Sequence, residues 1–247
     1  FLPVENIERG QQIFDVVNKA KSLKALNLCF GYIQPKRKEF AQQLFKSIEE
    51  LQQLTSLKTS GTLEISSEVL ASLEKIFNKP VKIQEFGLHC NFPLDISGIF
   101  RKLIEIMETS ASSLIKLELN TPSFALQRND VSAFVRFIGT LENIEVLNVK
   151  CVEIDTEQLL TGLTSQILKL AKIKSICLGS IGGKIKEEIF LENLEKILGK
   201  RGVSSFESVI RNSKTPSLLL ENIMRKNPLL KSVSGHVWQL LKKDDDI

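Results

Sequence analysis

The stretch Leu114-Ile115-Lys116-Leu117-Glu118-Leu119 sets three leucines in the pattern L-x-x-L-x-L. The pattern returns at Leu23-x-x-Leu26-x-Leu28, Ile83-x-x-Phe86-x-Leu88, Ile144-x-x-Leu147-x-Val149 and Ile173-x-x-Ile176-x-Leu178. Weaker copies stand at Leu54-x-x-Leu57-x-Thr59, Val203-x-x-Phe206-x-Ser208 and Leu230-x-x-Val233, where Thr59 and Ser208 break the apolar alternation. The central residues fall at 26, 57, 86, 117, 147, 176, 206 and 233, at intervals of 27 to 31 residues. A near-constant period of this kind marks an internal repeat, and it governs the reading of everything between.

Amphipathic stretches lie between the copies. Phe40, Leu44, Phe45, Ile48 and Leu51 share one helical face, as do Val69, Leu70, Leu73, Ile76 and Phe77 before Pro80. Similar spacing holds for Ile96, Ile99, Phe100, Leu103 and Ile106, and for Val131, Phe134, Val135, Ile138 and Leu141. It holds again for Leu159, Leu160, Leu163 and Ile167, and for Ile185, Ile189, Phe190, Leu194 and Ile197. Asp155 with Gln158 reads as a capping box, and Thr215-Pro216 as an N-cap followed by proline at the first helical position. The unit is strand, loop, helix, loop. Alone it cannot bury its apolar side, so units must stack on one another. Strand side chains alternate, which sends residues 26 and 28 inward and 25, 27 and 29 outward. The expected fold is an α/β solenoid of about eight repeats, with a curved parallel sheet on the concave side and helices on the convex side.

Composition sets outer limits. The 247 residues are 43% hydrophobic and 25% charged, enough apolar content for a substantial core. With 33 basic against 29 acidic residues the net charge is only +4, which argues against a dedicated nucleic-acid or membrane-surface protein. No apolar run reaches the ~18–20 residues a spanning helix needs. Cys29, Cys90, Cys151 and Cys177 form no CxxC pair, and no Asn-x-Ser/Thr acceptor with a permitted middle residue occurs. Both features point to a reducing, cytoplasmic setting. The chain starts at Phe1-Leu2-Pro3 without a methionine or a targeting segment, and reads as a fragment or processed form.

The motif and its period resemble the leucine-rich-repeat family, in its ribonuclease-inhibitor-like subclass. The resemblance implies one domain over 1–247, with a capping helix at 1–20, repeats over 21–234, and a cap and tail at 235–247. It implies protein recognition rather than catalysis, no cofactor, and a monomer. The family's Asn or Cys three residues after the motif is matched only by Asn91; Gly31, Thr62, Pro122, Val152 and Ile181 stand in the other good or fair copies. Divergent, helix-rich repeats are also similar to those of effectors that bacterial pathogens deliver into host cytoplasm. Ile13, Phe14 and Val17 suit a cap at one end. Trp238, Leu240 and Leu241 suit one at the other, before Lys242-Lys243-Asp244-Asp245-Asp246.

The outward positions are the candidate partner-binding face. They read Ala25, Asn27, Cys29; Ser56, Lys58, Ser60; Glu85, Gly87, His89; Lys116, Glu118, Asn120; Val146, Asn148, Lys150; Ser175, Cys177, Gly179. The expected contacts are Lys58, Glu85, His89, Lys116, Glu118, Asn148 and Lys150. The same residues also suit a merely solvated sheet face. No aromatic or arginine ladder is present for stacking RNA bases. Ser60, His89 and Asn120 hold equivalent places on adjacent strands and echo a nucleophile–base–orienter set, so a hydrolase is a remote alternative. An exposed histidine bonded to its neighbours accounts for the same trio, since an open sheet offers no oxyanion hole. The cysteines fall in different columns, and His89 and His236 are far apart, so no metal site is expected. Gly179-Ser180-Ile181-Gly182-Gly183-Lys184 misses phosphate-loop spacing and reads as a tight strand-to-helix turn. The other functional reading is a ligand-sensing or autoinhibitory segment of a larger intracellular immune-type receptor, in which a nucleotide-binding domain would precede the repeats.

Overall fold

A computed structural model describes residues 2–4, 7–30, 37–91, 96–120, 124–125, 128–182, 185–210, 225 and 232–234. The chain divides into two compact units, Phe1–Pro122 and Ser123–Ile247. The first runs β1 (Leu2–Val4), α1 (Ile7–Lys19), β2 (Ala25–Phe30), α2 (Arg37–Ile48), β3 (Ser56–Glu64), α3 (Ser67–Phe77), β4 (Glu85–Asn91), α4 (Ile96–Glu108) and β5 (Lys116–Asn120). Its strands pair in chain order, all parallel. The second runs β6 (Phe124–Ala125), α5 (Arg128–Gly139), β7 (Val146–Val149), β8 (Val152–Glu153), α6 (Glu157–Lys169), β9 (Ser175–Ile181), α7 (Glu187–Leu198), β10 (Ser205–Ile210) and β11 (Ser232–Ser234). Here β7, β9, β10 and β11 are parallel neighbours in that order, and the two-residue strands β6 and β8 pair separately. The class is α/β with parallel strands, as the sequence leads one to expect.

Parallel neighbours need a crossover, and a helix fills it. Crossovers share one hand, so strands laid down in chain order place their helices on one face. Burial follows that rule. Along β2, β5 and β7 every second residue is buried and those between are partly or fully exposed. Leu26, Leu57, Phe86 and Leu117 are ladder partners in the first unit, and Leu147, Ile176, Phe206 and Val233 in the second. These are the residues that the sequence period singles out. Against them pack Leu44, Phe45 and Ile48 of α2, Leu73 and Phe77 of α3, Phe100 and Leu103 of α4, Phe134 of α5, Leu163 and Ile167 of α6, and Leu194 of α7, all buried. The rings of Phe77 and Phe86 meet edge to face at 5.0 Å, which adds to their burial.

A second regularity lies in the backbone just before the strands. The Lys24 carbonyl accepts from the N–H groups of Thr55 and Ser56, Thr55 from Gln84 and Glu85, and Gln84 from Ile115 and Lys116. In the second unit Glu145 accepts from Lys174 and Ser175, and Lys174 from Ser204 and Ser205. Strands β3, β4, β5, β9 and β10 are thus each pinned at the start to the preceding ladder neighbour.

The two polar interruptions sit where the ladders slip. The β3–β4 register shifts between Thr59 and Leu63, and the β10–β9 register between Glu207 and Val209. Ser208 is buried and donates to the Gly179 carbonyl at 2.8 Å, whereas the buried Thr59 hydroxyl finds no partner among the described residues. Gly61, within the first slip, has φ +100, and a Cβ there would lie 1.8 Å from the Phe30 carbonyl oxygen.

Several expectations change. The segment 1–20 is not helix throughout: Leu2–Val4 pairs with Leu28–Phe30 before α1 begins. Ile13, Phe14 and Val17 of α1 are buried as expected. The cap of α6 is Thr156, whose hydroxyl accepts from the Leu159 N–H, rather than Asp155. A shift of one residue follows because Thr156 already has the extended backbone a cap requires. Helix α3 stops at Phe77, three residues before Pro80. Thr215-Pro216, Trp238, His236 and the 235–247 segment lie outside the described residues. No helix among the described residues is long and apolar enough to cross a membrane.

Candidate functional site

The outward residues of the first unit gather into one ionic cluster. Lys58 on β3 is the ladder partner of Gly87 on β4, which in turn faces Glu118 on β5. Because Gly87 has no side chain, the Lys58 stem crosses it: a Cβ on Gly87 would lie 3.1 Å from Lys58 Cγ. The ammonium then reaches Glu85 Oε2 at 2.8 Å and Glu118 Oε2 at 3.8 Å. Lys116 approaches the same Glu118 oxygen at 3.4 Å, and Ser56 donates its hydroxyl to Glu85 at 3.3 Å. Four expected contact residues, Lys58, Glu85, Lys116 and Glu118, are therefore one network of two cations and two anions.

Electrostatics follow from this geometry. The hydrogen bond from Lys58 is the main influence on Glu85 and holds its carboxyl below the ordinary value, against burial. Burial pulls the Lys58 ammonium down, but the Glu85 hydrogen bond and the charges of Glu85 and Glu118 outweigh it and leave it raised. Each group supports the other's charged form. The side chains remain 22% to 43% exposed, so a partner can reach them.

The second unit has a smaller counterpart. Asn148, Cys177 and Glu207 are ladder neighbours. Lys150, in the turn after β7, spans this row to Glu207 Oε1 at 2.8 Å. The Glu207 hydrogen bond raises the Lys150 ammonium against partial burial. Beneath lies Cys177, whose thiol is pushed up to about 12, first by burial and then by the Glu207 carboxylate. It stays a thiol at neutral pH, which suits packing rather than nucleophilic or ligand chemistry. The Asn148 Oδ1 is buried with no partner among the described residues.

His89 stands apart from the cluster. It is half-buried on β4 and is the ladder partner of Asn120. Ser60 does not complete that row: it pairs with Cys29 on the β2 side, but the β3–β4 register shifts after Thr59 and gives it no partner on β4. Its hydroxyl donates to the Leu28 carbonyl at 3.4 Å. The trio that echoes a catalytic set is therefore not one ladder row. Gly179 is held by close approach of the chain, since a Cβ there would lie 1.9 Å from the Val152 carbonyl oxygen. Gly183 and Lys184 lie outside the described residues. Among the described residues no group of three His, Cys, Asp or Glu side chains could hold a metal ion.

Two participants escape a reading of the five good copies. Glu207 belongs to the weak seventh copy, yet its place one residue after Phe206 corresponds to that of Lys58 and Glu118, so extending the row would find it. Lys79 is the other: buried between α3 and β4, it donates to the Ile48 and Leu51 carbonyls at 3.2 and 2.8 Å. It closes the C-terminal end of α2, a structural task.

Compared with known proteins, the chain matches no family model and no curated protein sequence.

Proposed function

We propose that the chain is a leucine-rich-repeat solenoid of about eight ribonuclease-inhibitor-like units, serving as a non-catalytic module that binds a protein partner through its outward sheet positions and their rims. The observation that carries the reading is the ionic network Lys58–Glu85–Glu118–Lys116, raised on alternate strand positions whose opposite side is committed to the helices. The ladder register of residues 26, 57, 86 and 117, and of 147, 176, 206 and 233, supports the repeat reading. Mixed, half-exposed charges on a rigid scaffold favour selection among partners and steer encounter more than they add raw affinity.

The test must separate what a partner sees from what the fold needs. Reversing Lys116 or Lys150 alone would set like charges against Glu118 or Glu207. The better variants swap each pair: Lys116→Glu with Glu118→Lys, and Lys150→Glu with Glu207→Lys. The second keeps its internal attraction; the first keeps that between positions 116 and 118 while giving up the 3.8 Å contact of Lys58 with Glu118; both invert the outward pattern. The intact chain should capture a partner from cell lysate that the swapped chain, melting at the same temperature, does not. Capture indifferent to both swaps but lost on altering the exposed helix faces would move the site away from the sheet.

A further inference from the structure

The even charge balance of the composition conceals a concentration. In the second unit the turns leading into β9 and β10 are adjacent, tied by the Ser204 N–H to the Lys174 carbonyl at 2.8 Å. Those two turns and the helix end before them carry Lys169, Lys172, Lys174, Lys200 and Arg201, of which all but half-buried Lys200 are exposed. Among the described residues only Lys174 meets a carboxylate, Glu145 at 2.8 Å. Lys172 bonds the neutral Asn143 at 2.6 Å, Lys169 the neutral Gln166, and Lys200 the Leu168 carbonyl. Among the described residues, Lys169, Lys172, Lys200 and Arg201 thus have no anionic partner. Cations near a helix C-terminus are ordinary, which accounts for Lys169 and Lys200. It does not account for Lys172 and Arg201, which lie at the turn tips beyond the helices.

We propose that this rim docks the protein onto an anionic phospholipid surface. Three features select that occupant. The charges are mostly flexible lysines spread along two turns, which suits a smeared field of headgroups better than one phosphate. Leu168, a large side chain left 38% exposed, sits beside them and supplies an apolar contact at the headgroup boundary. Among the described residues no aromatic side chain is exposed beside them, whereas single-stranded nucleic acid calls for a stacking platform. This surface is distinct from the sheet residues proposed for protein recognition, and the two can stand or fall separately.

The experiment is co-sedimentation of the full chain with vesicles of phosphatidylcholine, alone or carrying phosphatidylserine. Binding should require phosphatidylserine and fall steeply with added salt. Each basic side chain near such a surface contributes about fivefold in affinity, so the triple variant Lys169→Ala, Lys172→Ala, Arg201→Ala should bind about a hundredfold more weakly. A control of equal charge, Lys19→Ala, Lys46→Ala, Lys186→Ala, should stay within about fivefold of the intact chain. Leu168→Asn, which keeps every charge, should bind more weakly than the intact chain on the same vesicles. Failure of the intact chain to bind phosphatidylserine vesicles, or binding that salt does not weaken, overturns the proposal. So does an equal loss in the control, which would make net charge responsible. Binding of RNA or an acidic peptide through the same three side chains, with none to vesicles, would assign the rim another partner and also overturn it. The Lys116/Glu118 and Lys150/Glu207 swaps should leave vesicle binding unchanged.

Discussion

Strands β5 and β9 start from the same sequence pattern and end in different surroundings. On β5, Lys116, Glu118 and Asn120 alternate with buried Leu117 and Leu119 and stay partly exposed. On β9 everything after Ser175 is buried, including Cys177 and Gly179 at outward positions. The cause is the chain after β7. Lys150 to Val152 passes against Gly179, and Ile154 bonds both the Ser180 carbonyl and the Gly182 N–H. The periodic motif therefore determines the helix-facing side of a strand, while the following turn decides whether the other side is left for a partner. That lesson separates the outward residues: the Lys58 cluster lies along open strand positions, whereas Lys150–Glu207, exposed itself at 37% and 44%, is a strut above a covered thiol.

The helix-facing sides should be equivalent, which gives the largest expected effect. Leu117→Ala on β5 and Ile176→Ala on β9 each empty a fully buried site and should each cost about 2–5 kcal/mol in denaturant unfolding. A negligible cost at either would break the equivalence. The outward sides should differ. Gly179→Ala forces a methyl into a backbone carbonyl and should cost about 1–3 kcal/mol. Gly87→Ala meets the flexible side chains of Lys58 and Glu118 and no backbone atom among its nearest neighbours, and should cost under about 1 kcal/mol, since displacing Lys58 weakens partly exposed ion pairs. Equal melting temperatures for the two variants would refute the covered-versus-open contrast.

The polar interruptions allow a finer comparison. Ser208→Ala removes the donor to the Gly179 carbonyl and should destabilise by about 1 kcal/mol. Thr59→Val removes a buried hydroxyl that bonds nothing among the described residues and should be neutral or stabilising by up to about 1 kcal/mol. Opposite signs in thermal melts would show that only one interruption is structurally employed. The smallest effect is on pH. The carboxyl of Glu85 is lowered in the folded protein, so its contribution is present above the ordinary value of 4.5 and lost as the pH falls through and below it. Glu85→Gln should flatten that part of the acid stability curve, by less than about 1 kcal/mol because the pair is exposed.

The sequence exposes some of this and hides the rest for physical reasons. Ladder partners such as Leu26, Leu57, Phe86 and Leu117 are legible because burial on one side demands apolar residues at a fixed interval. The Lys58, Glu85, Lys116 and Glu118 positions follow from the same alternation. Their convergence does not, since it depends on the missing side chain at Gly87. Strand β1 is only three residues long, one of them Pro3, and β8 only two, too short for any period to register. The slip that removes Ser60 from the His89 row arises at Gly61, where the backbone takes a conformation the motif does not encode. Clustering of Lys172 and Arg201 is invisible to net charge, because residues twenty-nine apart become neighbours only when β9 and β10 pair.

Pairing each strand start to the carbonyl before it also has a mechanical consequence. Thr55 and Ser56 hang from Lys24, Gln84 and Glu85 from Thr55, and Ile115 and Lys116 from Gln84. Tension applied along the first unit would meet these attachments in series, each fastening a length of about 30 residues. Releasing one would free a tether of about 100 Å, at roughly 3.3–3.6 Å per extended residue. Stretched between a surface and a probe, such a unit would yield as a spring with discrete stops, lengthening in near-equal steps while the strands not yet reached keep their shape.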